Sequence, residues 1–354
     1  MTVHPIALAI AAVVIVVAFT GLAVQLYRYR ARVQELEPST PDDGSIRQAA
    51  IIINPTKFSD LDAVRSQVRR VCRTHGWADP MFLETTEDDH GKGQARQALD
   101  AGVDLVCPLG GDGTVREVAE ALVHTGVPLG LLPGGTGNLL ARNLDLPLSS
   151  IDDALAVALT GQDHAIDVGL VEFDPSGEDE RPQTLVFLVM AGLGFDAQMM
   201  AGAPEKLKAK VGWLAYAVSG AKHLRAPRAK ATIVRDDQPE FSRRVSTLLV
   251  GNCGTLTGGI RLIPDAEVDD GWLDAVTLTP KGLVSWATVA VRVLTRRGHH
   301  RVERMRCHEI SVRVDRPTEA QLDGDVVGQV RALRARVDPG ALVIRLPADR
   351  VLSS

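Results

Sequence analysis

Residues 104–143 read DLVCPLGGDGTVREVAEALVHTGVPLGLLPGGTGNLLARN. Two short apolar runs, Asp104–Leu109 and Pro128–Leu132, each lead into a glycine-rich loop, Gly110–Thr114 and Pro133–Asn138. Helical spacing follows the first loop over Val115–His124, and a second helix is expected after Asn138. Strand, glycine loop and helix, twice in succession, predict a parallel sheet covered on both faces. In such sheets ligands collect where strand C-terminal ends meet helix N-termini. Glycine has no Cβ, so its N–H can approach phosphate oxygens, and the following helix adds unpaired N–H groups and the positive end of its dipole. The spacing is not GxxxxGK[ST], which excludes a P-loop, and no GxGxxG opens the first unit, which disfavours a standard dinucleotide fold.

Working outward, the same alternation holds upstream. Ala49–Ile53 is a β-branched strand ending at Asn54-Pro55, and Leu61–His75 carries apolar residues at helical intervals. Met81–Leu83 predicts a short strand and Gly91–Ala101 a helix. Beyond Asp167 the texture becomes β-rich, with strand-like runs at Asp167–Glu172, Thr184–Ala191, Lys230–Arg235, Ser246–Gly251, Leu273–Leu278, Glu309–Val314 and Ala341–Leu346. Helical spacing persists there only at Glu205–Leu224 and Leu283–Arg296. An α/β domain over residues 49–165 and a sandwich- or barrel-like domain over residues 166–346 are therefore expected.

The extreme N-terminus is different. Ile6–Leu26 reads IALAIAAVVIVVAFTGLAVQL, uncharged, and at ~1.5 Å per residue is long enough to cross a hydrocarbon core. Arg28, Arg30 and Arg32 follow it directly, whereas a signal peptide carries its basic residues first. The expectation is one transmembrane helix over residues 6–26, a linker over 27–48 rich in Pro, Ser and Thr, and a cytoplasmic catalytic region at the cell membrane. The chain has 44 acidic and 39 basic residues, a formal charge of −5, without the broad positive field that a nucleic-acid binder needs. Apolar residues at 45% and charged residues at 23% exclude a mainly disordered chain. Four scattered cysteines, Cys72, Cys107, Cys253 and Cys307, form no CxxC pair, which argues against a zinc site or disulfide framework.

Within the first loop, Asp112 would repel phosphates, a cost that makes sense if it holds Mg²⁺. It can also cap the helix at Val115, and the two roles are compatible. Thr114 either caps or donates to a phosphate. Glu117 is either an exposed first-turn acid or a group turned to the ligand. Taken alone, Asp323-Gly324-Asp325 is a hairpin turn, and Asp269-Asp270-Gly271 a turn of solvated acids.

GGDGT at Gly110–Thr114, PGGTGN at Pro133–Asn138 and ARN at Ala141–Asn143 together resemble the diacylglycerol kinase catalytic-domain family, which includes bacterial lipid kinases and is related to sphingosine and ceramide kinases. The resemblance also takes in Asn54-Pro55, Thr85-Thr86, Asn252, the Pro264–Asp274 stretch and Asp323-Gly324-Asp325, and spans roughly Ala49 to Leu346. It implies a nucleotide domain, completed by the C-terminal segment, and a β-sandwich lipid domain. It implies an ATP- and Mg²⁺-dependent lipid kinase making phosphatidic acid or an analogue from diacylglycerol or a similar alcohol. Asn54, Thr86, Gly110, Gly111, Asp112, Gly113, Thr114, Gly134, Gly135 and Thr136 would line the nucleotide, with Glu117 beside them. Asp325, with Asp323 and Asp112, would be catalytic, and Asp269 and Asp270 would join Asp112 as metal ligands, at a second, structural Mg²⁺. Two departures stand out: Asp325 replaces the family's longer Glu, and Leu139 replaces a common Asp. Other readings are an NAD kinase-like enzyme and a nucleotide- or lipid-binding sensor without turnover. A homodimer is left open. Basic stretches at Lys206–Lys210, Lys222–Arg228 and Arg292–Arg306 are candidate contacts for anionic headgroups, while His299-His300 lacks a metal-spaced partner.

Overall fold

A computed structural model describes residues 46–178, 183–194, 228–256, 260–279 and 302–348. The first half alternates strands and helices: β1 (Ala49–Ile53), α1 (Leu61–Thr74), β2 (Met81–Glu84), α2 (Lys92–Asp100), β3 (Leu105–Gly110), α3 (Asp112–Leu122), β4 (Leu132–Pro133), α4 (Leu139–Asn143) and α5 (Ile151–Thr160). The strands pair in parallel in the order β2-β1-β3-β4. All five residues of β1 are fully buried, as expected of a central strand covered on both faces. Asp60 starts α1 by accepting from the Ala63 N–H at 2.9 Å, and Val64, Val68, Val71 and Cys72 turn inward. Ser150 starts α5 in the same way, accepting from Asp153.

The rest is antiparallel: β5 (Gln162–Asp174), β6 (Thr184–Phe187), β7 (Met190–Leu193), β8 (Ala229–Arg235), β9 (Phe241–Val245), β10 (Thr247–Gly251), β11 (Thr255–Leu256), β12 (Ile260–Arg261), β13 (Leu273–Leu278), β14 (Val302–Cys307), β15 (Glu309–Leu322) and β16 (Asp325–Leu346). The main path runs β14-β13-β10-β7-β15-β16-β5-β6; β8 attaches to β15, and β9 to β8. The architecture is therefore a parallel α/β layer followed by a sandwich-like antiparallel domain. Strand β16 serves both. It pairs with β15 over its first half and with β5 from Ala332 to Leu346, and near its end the Leu129 N–H donates to the Val343 carbonyl while the Arg345 N–H donates to the Leu129 carbonyl. One apolar core runs from Ala50 and Val106 through Leu129 and Ile344 to Leu249 and Val276.

The expectation of a single-pass membrane protein is corrected. No helix among the described residues is long and apolar enough to cross a membrane. The run Ile6–Leu26 on which it rested lies outside the described residues, as do most of the 27–48 linker, the helices expected at Glu205–Leu224 and Leu283–Arg296, nearly all of the two basic stretches between Lys206 and Arg228, and His299-His300. The strand expected at Pro128–Leu132 shortens to Leu132–Pro133 plus single bridges from Leu129 to Val106 and Ile344. Of the Arg292–Arg306 stretch, the described part is strand β14. All four cysteines are buried, and burial pushes the Cys72 thiol up to about 11.

Candidate functional site

The two glycine loops pack against one another. The Gly134 N–H donates to the Gly110 carbonyl at 3.1 Å. A Cβ on Gly134 would lie 2.7 Å from the Gly110 nitrogen, and one on Gly135 2.7 Å from the Gly111 Cα. These glycines are required by contact between the loops themselves. At Gly110 the neighbour is Thr114, whose buried hydroxyl would sit 2.7 Å from an added Cβ. Gly111 differs, because nothing lies within 4 Å of the position a Cβ would take. The open space is on that side.

Helix α3 starts there, with Gly111 as its N-cap and Asp112 as its first residue. The alternative reading of Asp112 as a helix cap does not hold, since Gly111 takes that position. The Asp112 Oδ1 instead accepts from the Leu139 N–H at 2.6 Å, so it secures the start of α4 across the gap between the loops. A side chain at Gly137 would collide with the same carboxylate, at 2.3 Å from Oδ2. Leu139, the departure from the family's Asp, is buried, and its backbone supplies this bond. Burial raises the Asp112 carboxyl above its ordinary value; the Leu139 and Asn138 N–H groups oppose this, and the charge of Asp325 adds to it.

Opposite the loops stands the turn joining β15 to β16. Asp323 (φ 48°) and Gly324 (φ 94°) both take positive φ, and Leu322 pairs with Asp325, the geometry of a tight two-residue hairpin turn. The turn is pinned from below. The Asp323 carboxylate accepts from the N–H groups of Leu188 (3.0 Å), Val189 (2.9 Å) and Met190 (2.9 Å), and its own N–H donates to the Met190 carbonyl. Asp323 is 5% exposed, and burial pushes its carboxyl up to about 6 against the pull of those three donors. Asp325 stands clear of the turn with 60% of its side chain exposed, and its Oδ2 would be 3.4 Å from a Cβ on Gly113.

Between loops and turn lies a cavity of about 440 Å³. Asn54, Gly111, Asp112, Gly113, Thr114, Glu117, Thr136, Asp323 and Asp325 all line it. Asn54 caps the short turn after β1, its Oδ1 accepting from the Thr56 N–H and hydroxyl. Gly110, Gly134 and Gly135, expected to line the nucleotide, are not part of the cavity wall and pack within the loops instead. Thr86 is exposed, hydrogen-bonded with Asp89, and outside the cavity wall. Asp269 and Asp270 also lie outside it. Asp270 is ion-paired with Arg306, and Asp269 is raised to about 6 by burial and by Asp167, Glu267 and Asp270. Among the described residues no group of three or more His, Cys, Asp or Glu side chains is arranged to hold a metal.

Sequence reasoning missed three lining residues, Lys57, His90 and Arg116. Arg116 was the readable one. It lies four residues after Asp112, hence one turn above it on the same helix face. The cavity thus offers loop backbone, three cationic or imidazole side chains and four carboxylates, Asp112 and Glu117 from α3 and Asp323 and Asp325 from the facing turn. Such a donor set suits a polyphosphate with a hard divalent cation, because Mg²⁺ takes few carboxylates plus phosphate oxygens. A cation near Asp112 would also offset the burial and the Asp325 charge that disfavour its ionised form.

Comparison with known proteins gives a consistent picture. Residues 48–171 match the diacylglycerol kinase catalytic domain, and residues 189–346 match the YegS C-terminal NAD kinase beta sandwich-like domain. A Pseudomonas aeruginosa protein named "Probable lipid kinase YegS-like" is 35% identical over 278 residues, covering 76% of this chain and 85% of its own. A Bacillus subtilis diacylglycerol kinase is 28% identical over 292 residues, covering 80% and 92%. A crystal structure of a diacylglycerol kinase from Bacillus anthracis superposes with a TM-score of 0.65 at 21% identity, covering 85% of this chain and 97% of that one, a likeness of fold.

Proposed function

The chain belongs to the lipid-kinase family built on the diacylglycerol kinase catalytic domain, and from that premise we propose that it transfers the γ-phosphoryl group of ATP to the hydroxyl of diacylglycerol or a similar lipid alcohol. The observation that carries the reading is the Asp325 carboxylate, held across the cavity from Asp112 and the open space beside Gly111. The phosphates would occupy that space, facing the N–H groups at the start of α3. Asp325 would accept the proton of the lipid hydroxyl as its oxygen bonds to the γ-phosphorus and the bond to the β-phosphate breaks, releasing ADP. Mg²⁺, held by Asp112 and phosphate oxygens, would supply neutralisation of the phosphate charge. Asp323, with its oxygens engaged by three backbone N–H groups, would position the turn and leave proton transfer to Asp325.

A lipid acceptor also accounts for a local oddity. Val326 and Val327, 52% and 41% exposed, follow Asp325 directly and are two of the three large apolar side chains exposed among the described residues. Hydrocarbon chains entering beside Asp325 would cover them. The test is purified protein with labelled ATP and Mg²⁺, offered diacylglycerol in mixed micelles, NAD, or no acceptor. Label in phosphatidic acid supports the proposal. Label in NADP supports an NAD kinase, and bound but uncleaved ATP a sensor; either result overturns it.

A further inference from the structure

Arg116 is 15% exposed at its side chain, an unusual degree of burial for a guanidinium at the rim of a cavity. Its Nη2 lies 3.4 Å from Asp325 Oδ2. Glu120, one turn on along the same helix, is taken by Lys92 at 2.6 Å. The guanidinium is also close enough to Asp323 for its charge to favour that buried carboxylate's ionised form. One side chain on the nucleotide-loop helix therefore faces both acids of a hairpin turn 209 residues away in sequence. The turn's base is fixed by Asp323, yet Asp325 projects beyond that anchorage and is mostly exposed. Asp325 is also a methylene shorter than a glutamate, so its reach depends on where the hairpin is held.

We propose that Arg116 is a positioning residue that holds the Asp325 carboxylate over the first turn of α3, joining the loop and hairpin halves of the site. This rests on the lipid-kinase reading for its consequence in catalysis but not for the contact itself. Two measurements separate the two. In hydrogen exchange, Arg116→Met should speed exchange of the amides at 323–326 by about threefold to fivefold, the scale of a lost, partly exposed ion pair. In the kinase assay the same variant should lose roughly 10- to 100-fold in kcat with little change in KM for ATP or lipid, as expected when a reacting group is misplaced rather than a substrate contact removed. Arg116→Lys, which keeps a charge of shorter reach, should restore part of both. An unchanged thermal midpoint in each variant excludes misfolding. Unchanged exchange at 323–326 would overturn the proposal. So would a rise in KM for ATP with kcat preserved, which would make Arg116 a phosphate contact. If the unmodified protein phosphorylates no lipid, the proposed function falls while the exchange result still decides whether Arg116 holds the hairpin.

Discussion

Replacing Asp323 by alanine tests how the hairpin is held. The substitution leaves three buried backbone donors, at Leu188, Val189 and Met190, without their acceptor. Each orphaned N–H costs about 1 to 3 kcal/mol, together about 3 to 9. Alanine at φ 48° adds roughly 1 kcal/mol of left-handed strain. Against this, a carboxyl that titrates near 6 when folded and near 3.8 otherwise weakens folding by about 3 kcal/mol at pH 7, and that penalty disappears with the side chain. The expected net loss at pH 7 is about 4 kcal/mol, measured by urea unfolding. The sign with pH is the sharper test. Because the folded value is raised, the wild-type stability attached to this group is fully present below pH 3.8 and is lost as pH rises through 6. The gap between wild type and Asp323→Ala should therefore narrow between pH 4 and pH 7. A gap that widens would mean that the three N–H donors outweigh burial, and would refute the reasoning. A loss under about 1 kcal/mol would refute the hydrogen bonds as the main support.

Asp112→Asn preserves an oxygen for the Leu139 N–H but removes the charge, so lipid phosphorylation should fall by at least about 100-fold with the thermal midpoint nearly unchanged; retained transfer would remove Asp112 from the mechanism. Gly134→Ala drives a methyl into the Gly110 backbone and should lower stability by about 1 to 3 kcal/mol in chemical denaturation. Gly111→Ala meets open space and should leave the unfolding midpoint alone while raising KM for ATP, a contrast that separates loop packing from ligand space. Asp274, buried and raised to about 6 chiefly by that burial, predicts that Asp274→Asn gains stability at pH 8 by no more than about 3 kcal/mol, with the gain vanishing near pH 4 in paired thermal melts.

What the sequence reveals depends on whether a signal is local. Strand β1 was legible because five consecutive apolar residues between polar neighbours have one economical home, the middle of a parallel sheet. Helix α5 was not. From Ala154 to Thr160 every residue is buried, so no polar face marks its period. Strand β16 was recognised only over its last six residues, because Asp338-Pro339-Gly340 looks like a break. The chain instead absorbs those residues in a register irregularity against β5 between Asp338 and Leu342, with Gly340 at φ 60° and its N–H donated to Asp167. At the site, the loops could be read from their glycines, although two of those glycines serve the contact between loops. Asp325 could not be derived locally, since Asp-Gly-Asp reads as a turn, and it is one. Only the family resemblance drew attention to the acid beyond it. The anchor inferred from Ile6–Leu26 lies outside the described residues, among which no helix is long and apolar enough to cross a membrane.

Strand β16 begins at the cavity with Asp325 and ends beside Leu129, whose N–H and carbonyl pair with Val343 and Arg345. During synthesis the ribosome releases the glycine loops roughly two hundred residues before this strand exists. Until Leu346 has emerged, Leu129 lacks those partners and the core residues Leu342, Ile344 and Leu346 are missing from its side of the sheet. The nucleotide half therefore cannot finish folding as the chain emerges and must wait for its far end. Closing so long a loop makes late assembly slow and leaves a sheet edge open in the nascent chain. One strand thus completes both the candidate site, through Asp325, and the core of the parallel layer, through Leu342, Ile344 and Leu346.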